Sequence, residues 1–178
     1  MTTQTPWWQR TFHFDFPVEL FPVLFSRLEG TIFRLHHLLA NADEEQCSIS
    51  KKGWSIKQHV GHLADVEPMW WQRLTDMLTG QTYLTEGDSS NAKTELANHN
   101  ENSLEVLANQ FLVARQKLLE TIYPFNADQL FQTAIHPRLL KQIRLIDLLF
   151  LIAEHDDHHL ATISTLLRKP HDDTNEFM

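Results

Sequence analysis

Apolar residues recur at three- and four-residue intervals through four long stretches of the chain, the spacing of a helix that buries one face. The first stretch runs from about Glu19 to Leu39, with Leu20, Leu24, Leu28, Ile32, Leu35 and Leu39 in register. Pro22 fits this helix only in its first turn, where a missing N–H costs nothing. The polar stretch Asn41 to Gly53 reads as a loop. Ser55 followed by Gln58 forms a capping-box pattern and opens a second helix. Ile56, Val60, Leu63, Trp70, Leu74 and Met77 supply its stripe, Pro68 should kink it, and Gly80 should end it. Gly80 to about Asn102 is polar and irregular. A third helix spans about Ser103 to Ile122, closed by Tyr123-Pro124. Asn126 to Phe131 reads as one helical turn, and Ile135-His136-Pro137 as extended. The last helix covers about Leu145 to Leu167.

Four long amphipathic helices predict an all-α protein, a four-helix bundle. The connection after Gly80 is long enough to travel the length of a ~30 Å helix. Helices two and three can therefore run parallel, which predicts up-down-down-up order. The length of 178 residues fits a single domain over 1–178, with a core from about 10 to 168 and a frayed acidic tail over 170–178.

Composition narrows the function. The formal net charge is −8 and the basic residues are scattered, which argues against nucleic acid as a partner. A lone cysteine, Cys47, excludes an intramolecular disulfide and sits in a polar loop without a neighbouring base. No apolar run approaches the ~20 residues that span a bilayer, and Met1 to Pro6 lacks an apolar leader segment. A cytoplasmic protein without a membrane partner is expected. Adjacent Trp70 and Trp71 point in different directions from one helix, so one of them is expected at a homodimer interface.

The chemistry begins where the last stripe is interrupted. Leu145, Leu148, Leu149, Ile152, His155, His159, Ile163, Leu166 and Leu167 share one face, and two imidazoles stand in it one turn apart. A buried imidazole needs partners for both nitrogens, and two side by side cannot both be charged cheaply. A shared metal ion answers both demands, because residues four apart lie roughly 5–6 Å from each other on one face. A zincin would need Glu directly after the first histidine, where this chain has Asp156. A ferritin-like di-iron site would need a second Glu-x-x-His copy, which is missing. His158 lies about 100° around the helix from His159 and pairs with Glu154 as a solvated contact. Glu154 and Asp157 read as surface residues, as do His36, His37 and His99. A third ligand must come from elsewhere. On helix two, His62 and His59 both qualify by spacing alone.

Trp54-Ser55 at a helix start, then Gly61-His62-Leu63-Ala64-Asp65, and the distal His155-x-x-x-His159 with His158 before the last, resemble the DinB/YfiT-like family of metal-binding four-helix bundles. His136-Pro137 ahead of a Leu-rich helix, Arg10-Thr11-Phe12 and Arg27-Leu28-Glu29-Gly30-Thr31 extend the likeness over about Arg10 to Leu167. The resemblance implies His62, His155 and His159 as the metal ligands. Asp65 and Asp156 become candidates to orient those rings, and Asp65 and Glu67 candidates to carry a proton.

Three neutral imidazoles leave a coordination position for water or substrate, and the set suits zinc, nickel or iron alike. Members of the resembled family include thiol-dependent transferases and metal-dependent hydrolases. The implied function is a metal-dependent enzyme acting on a small molecule, first of all an S-transferase using a low-molecular-weight thiol. A hydrolase, or a metal-bearing binding module linked to stress, are the alternatives.

Overall fold

The computed structural model of the chain describes residues 4–50 and 52–168; the stretch 170–178, expected to fray, lies outside them. Four long helices dominate: α1 (Phe21–Leu39), α2 (Ile56–Leu78), α4 (Leu104–Ile122) and α6 (Leu145–Arg168). Each starts where its chemistry allows. A short 3-10 turn, Val18–Leu20, precedes α1 and leaves Pro22 within the first turn. Ser55 caps α2 in a complete box: its hydroxyl accepts from Gln58 N–H at 3.1 Å, and the Gln58 side chain accepts from Ser55 N–H at 3.0 Å. Ser103 caps α4 through Val106 N–H at 3.2 Å. Pro68 lies on the exposed face of α2, and the helix continues through it.

The connection after α2 is not structureless. It holds the helix α3 (Ala92–Leu96) and a 3-10 turn, His99–Glu101, each preceded by an asparagine in the left-handed region. The helix α5 (Ala127–Leu130) is the single turn expected. The extended segment proves to be one arm of an antiparallel hairpin, β1 (Thr133–His136) with β2 (Lys141–Arg144), and the second arm escaped the sequence reading.

Loop contacts fix the helix directions. Leu84, just past the end of α2, donates its N–H to Ile135 O in the hairpin that leads into α6. Ser55, at the start of α2, donates its hydroxyl to Asn100, which lies just ahead of α4. Hence α2 and α4 run parallel, and α6 runs against both. Arg144 at the head of α6 donates to the carbonyls of Phe14 and Phe16 just ahead of α1, so α1 runs with α6. The order is up-down-down-up. The N-terminal arm descends along α6 in the opposite sense, Gln4 meeting His158 and Phe14 meeting Phe150.

Two apolar clusters fill the interior. One, toward the hairpin, includes Leu28, Trp70, Leu118 and Ile152; the other, toward the α2 N-terminus, includes Leu35, Leu63, Phe111 and Leu160. Between them lies a polar layer with one residue from every long helix: Thr31, Glu67, Arg115 and Asp156, all buried. Arg115 spends all five N–H groups there. It grips Asp156 at 2.5 and 2.9 Å, Glu67 Oε1 at 2.6 and 3.0 Å, and Leu28 O at 3.3 Å. Thr31 donates to Asp156 at 3.0 Å. Burial opposes the Arg115 charge, yet the two carboxylates more than offset it and hold the guanidinium above its ordinary value.

Candidate metal centre

His155 and His159 project from the middle of α6 toward α2, where His62 meets them one turn past the capping box. All three are buried. His62 Nε2 lies 3.3 Å from His155 Nε2, and His159 Nε2 lies 3.3 Å from the same atom. The three ligand nitrogens fall within 4.8 Å of one another, so the structure brings together the three histidines that the motifs single out.

The hydrogen bonds around His62 decide which of its nitrogens carries the proton. Thr94, on α3, has one hydroxyl hydrogen and gives it to Asp65 Oδ2 at 2.8 Å. It must then accept from His62 Nδ1–H at 2.9 Å, which leaves a bare lone pair on His62 Nε2. His159 Nδ1 meets His59 Nδ1 at 2.9 Å, a contact on the far side of the ring from Nε2. His59 therefore supports His159 and does not join the cluster.

Desolvation keeps the rings neutral. Burial lowers His62 to about 4, against a smaller opposing pull from Asp65. It also holds His155 and His159 well below the usual imidazole range, with mutual repulsion adding to the effect. His59 falls to about 4 by burial and the nearby His158. Neutral rings with lone pairs converging on one point are what a divalent ion requires. In a zinc tetrahedron with Zn–N of ~2.0–2.1 Å, two ligand nitrogens stand ~3.3–3.4 Å apart. The observed 3.3 Å separations fit.

Aromatic rings wall the cluster. The Trp54 ring lies 4.7 Å from His62, Trp7 of the N-terminal arm 5.1 Å from His155, and Trp70 5.6 Å from His155. Trp54 is held by its Nε1–H to Glu95 at 2.7 Å. Its place just ahead of the Ser55 cap was the only hint in sequence; Trp7 left none.

Several expected roles are corrected. Asp65 reaches His62 only through Thr94. Its carboxylate also accepts from His99 Nε2–H at 2.8 Å and faces Lys93 at 3.6 Å, so it is not a free proton carrier. Glu67 belongs to the Arg115 layer, where burial pushes its carboxyl up against the opposing pull of Arg115. Asp156 orients no histidine ring, because both of its oxygens are taken by Arg115. His99 is buried rather than superficial. A Cβ on Gly61 would sit 2.4 Å from its ring, so the glycine of the Gly-His-Leu-x-Asp motif is what lets His99 approach. His158 pairs with Gln4, not Glu154. Glu154 and Asp157 bind Arg10, Arg27 and Arg34 in a chain that ties the arm and α1 to α6. Cys47 is buried, and burial pushes its thiol up. Trp71 is covered by the Lys117 ammonium at 4.5 Å.

No curated protein matches the sequence. Among solved structures, YfiT from Bacillus subtilis, described as a probable metal-dependent hydrolase with an unusual four-helix bundle topology, superposes with a TM-score of 0.77. The likeness covers 88% of this chain and 91% of that one at 21% identity. The sequence profile of the DinB superfamily matches residues 27–163, from α1 through His155 and His159 of α6. The chain belongs to the DinB superfamily.

Proposed function

We propose that the protein is a metal-dependent enzyme whose divalent ion is held by His62, His155 and His159. The observation that carries this is the convergence of three buried, neutral imidazoles on one point, with the tautomer of His62 set by Thr94 and Asp65. An ion on these nitrogens supplies a Lewis acid and lowers the pKa of a water or thiol that reaches its open position. The ligands bring no negative charge, so an anionic fourth partner is favoured.

The partners of the two candidate proton carriers bear on the reaction. Asp65 and Glu67 are both engaged elsewhere. Hydrolysis of an ester or amide needs a group to pass a proton to the leaving atom, whereas a thiol that attacks an electrophile only has to lose one. This favours S-transfer from a low-molecular-weight thiol to a small electrophilic substrate. Hydrolysis is the second reading, favoured by the description of YfiT. The remaining parts of the proposal are a cytoplasmic homodimer with no nucleic-acid partner.

The test uses zinc-, nickel- and iron-loaded protein prepared without a histidine tag. A haloarene is offered with each of several small thiols, and a nitrophenyl ester is offered alone. Thiol-dependent release of halide, lost in His155→Ala, is expected. Ester cleavage without thiol would replace transfer by hydrolysis. Failure of the wild-type chain to retain any divalent ion would end the metal reading.

A further inference from the structure

A buried positive charge that forms no ion pair among the described residues lies beside the histidine cluster. Arg73 projects from α2 and is 4% exposed. Its Nε–H donates to Thr85 O at 2.9 Å, and its Nη1 lies 3.3 Å from His136 Nε2. Among the described residues it forms no ion pair, unlike Arg115, Arg27 and Arg144, each of which holds a carboxylate. A guanidinium taken out of water without a counter-charge is costly. Burial accordingly lowers Arg73 to about 10, with Arg138 adding repulsion and Asp76 opposing it more weakly.

The contact with His136 sharpens the point. Arg73 Nη1 can only donate, so its hydrogen goes to the lone pair of His136 Nε2 at 3.3 Å. That ring is neutral, since burial and the two arginines lower it to about 3. It accepts from Arg73 without balancing its charge.

Arg138, in the hairpin turn two residues beyond His136, is a second guanidinium without an ion pair among the described residues. It stacks over Trp7 at 5.6 Å and Trp8 at 5.5 Å. Each arginine stands one indole away from the metal ligands: Arg73 lies 5.2 Å over Trp70, itself 5.6 Å from His155, while Trp7 under Arg138 is 5.1 Å from His155. Both guanidinium groups thus stand near the edge of the histidine cluster.

We propose that Arg73, held by His136, and Arg138 form an oxyanion-binding site beside the three-histidine cluster, taking a carboxylate or phosphate group of the substrate. The assignment rests on the enzyme reading above, and it adds that the substrate, or the thiol, is an anion. Guanidinium forks match both groups.

Calorimetric titration of the full chain with succinate and, separately, with inorganic phosphate tests this, at an ionic strength held constant with sodium chloride. Both zinc-loaded and metal-free protein are used. At least one probe is expected to saturate at one site per chain in both forms, and which probe does so tells carboxylate from phosphate. Arg73→Gln and Arg138→Gln should each weaken it about tenfold or more, Arg73→Lys should weaken it less, and zinc stoichiometry should not change. No saturable binding by either probe overturns the proposal, as does binding that persists in both glutamine variants. Binding confined to zinc-loaded protein and lost in His155→Ala also overturns it, since the anion would then be a metal ligand. Should Arg73→Gln fail to fold, Arg138→Gln in the half-buried hairpin turn decides the result. The metal-free arm keeps failure of this site distinct from failure of the metal reading.

Discussion

Removing the Thr94 hydroxyl would separate holding a metal from holding the fold. Thr94→Val keeps the shape of α3 but frees His62 to flip its tautomer. Loss of such a supporting hydrogen bond costs about 10–100-fold in metal affinity, and a competition titration with a chromogenic chelator would show it, with little change in melting temperature. Gly61→Ala behaves differently. The new methyl meets the His99 imidazole at 2.4 Å, so the Asp65–Thr94 support shifts. A loss of about 1–3 kcal/mol in stability is expected on denaturant unfolding, the usual cost of overpacking, together with weaker metal retention. Protons act on the same rings. His59, His62 and His136 titrate at about 4, about 4 and about 3 in the fold, against about 6.5 in the unfolded chain. The unfolded state therefore binds more protons through this interval. The stability of the metal-free protein should be full above pH about 6.5 and fall steadily as pH drops toward about 4. Urea unfolding at pH 7.5, 5.5 and 4.5 would show falling midpoints, and a flat series would contradict the burial of these rings.

At the scale of the element, the polar layer is the feature with the largest energetic stake. Arg115→Met leaves Glu67 and Asp156 buried with no positive partner, and an orphaned charge of this kind costs about 3–5 kcal/mol. Replacing all three with apolar residues of similar volume should restore most of that loss, as measured by the denaturation midpoint. A triple variant as weak as the single one would show that the layer fixes the register of the four helices rather than merely balancing its own charges. Ser55→Ala, which breaks the α2 capping box, should cost about 1 kcal/mol.

The same layer shows how far the sequence could be read. The cap at Ser55, the helix spans and the His155–His159 pair follow from spacing alone, because each depends on residues within one or two turns. Thr31, Glu67, Arg115 and Asp156 also sit at helical spacing inside apolar stripes, between Leu28 and Leu35, Leu63 and Trp70, Phe111 and Leu118, and Ile152 and Leu160. That signal was present, yet pairing them requires knowing which helices face one another. His99 and Thr94 gave no periodic signal at all: they lie in a polar connection and are buried only because α3 folds back onto α2 at Gly61. The hairpin was half legible, since Lys141–Arg144 is mostly polar and is ordered by pairing with Thr133–His136.

Across the whole molecule, charge and apolar surface make separable predictions. Phe33 on α1 is 72% exposed and borders a groove of about 520 Å³ with Leu38, Leu160 and Ala161. Trp71, capped by Lys117, is poorly placed for a partner, so the proposed homodimer would use the α1–α6 face. Light scattering should then give about twice 20.8 kDa, and Phe33→Glu should return the particle to that mass. A wild-type monomer would remove the dimer from the proposal.

The indole wall also gives the protein a built-in optical gauge. Three of its five tryptophans, Trp7, Trp54 and Trp70, have ring centres within 5.6 Å of a cluster imidazole. A paramagnetic ion such as cobalt seated among those imidazoles would dim the emission of more than half the chain's tryptophans at once. Occupancy could thus be followed by ultraviolet light alone, with no label and no turnover.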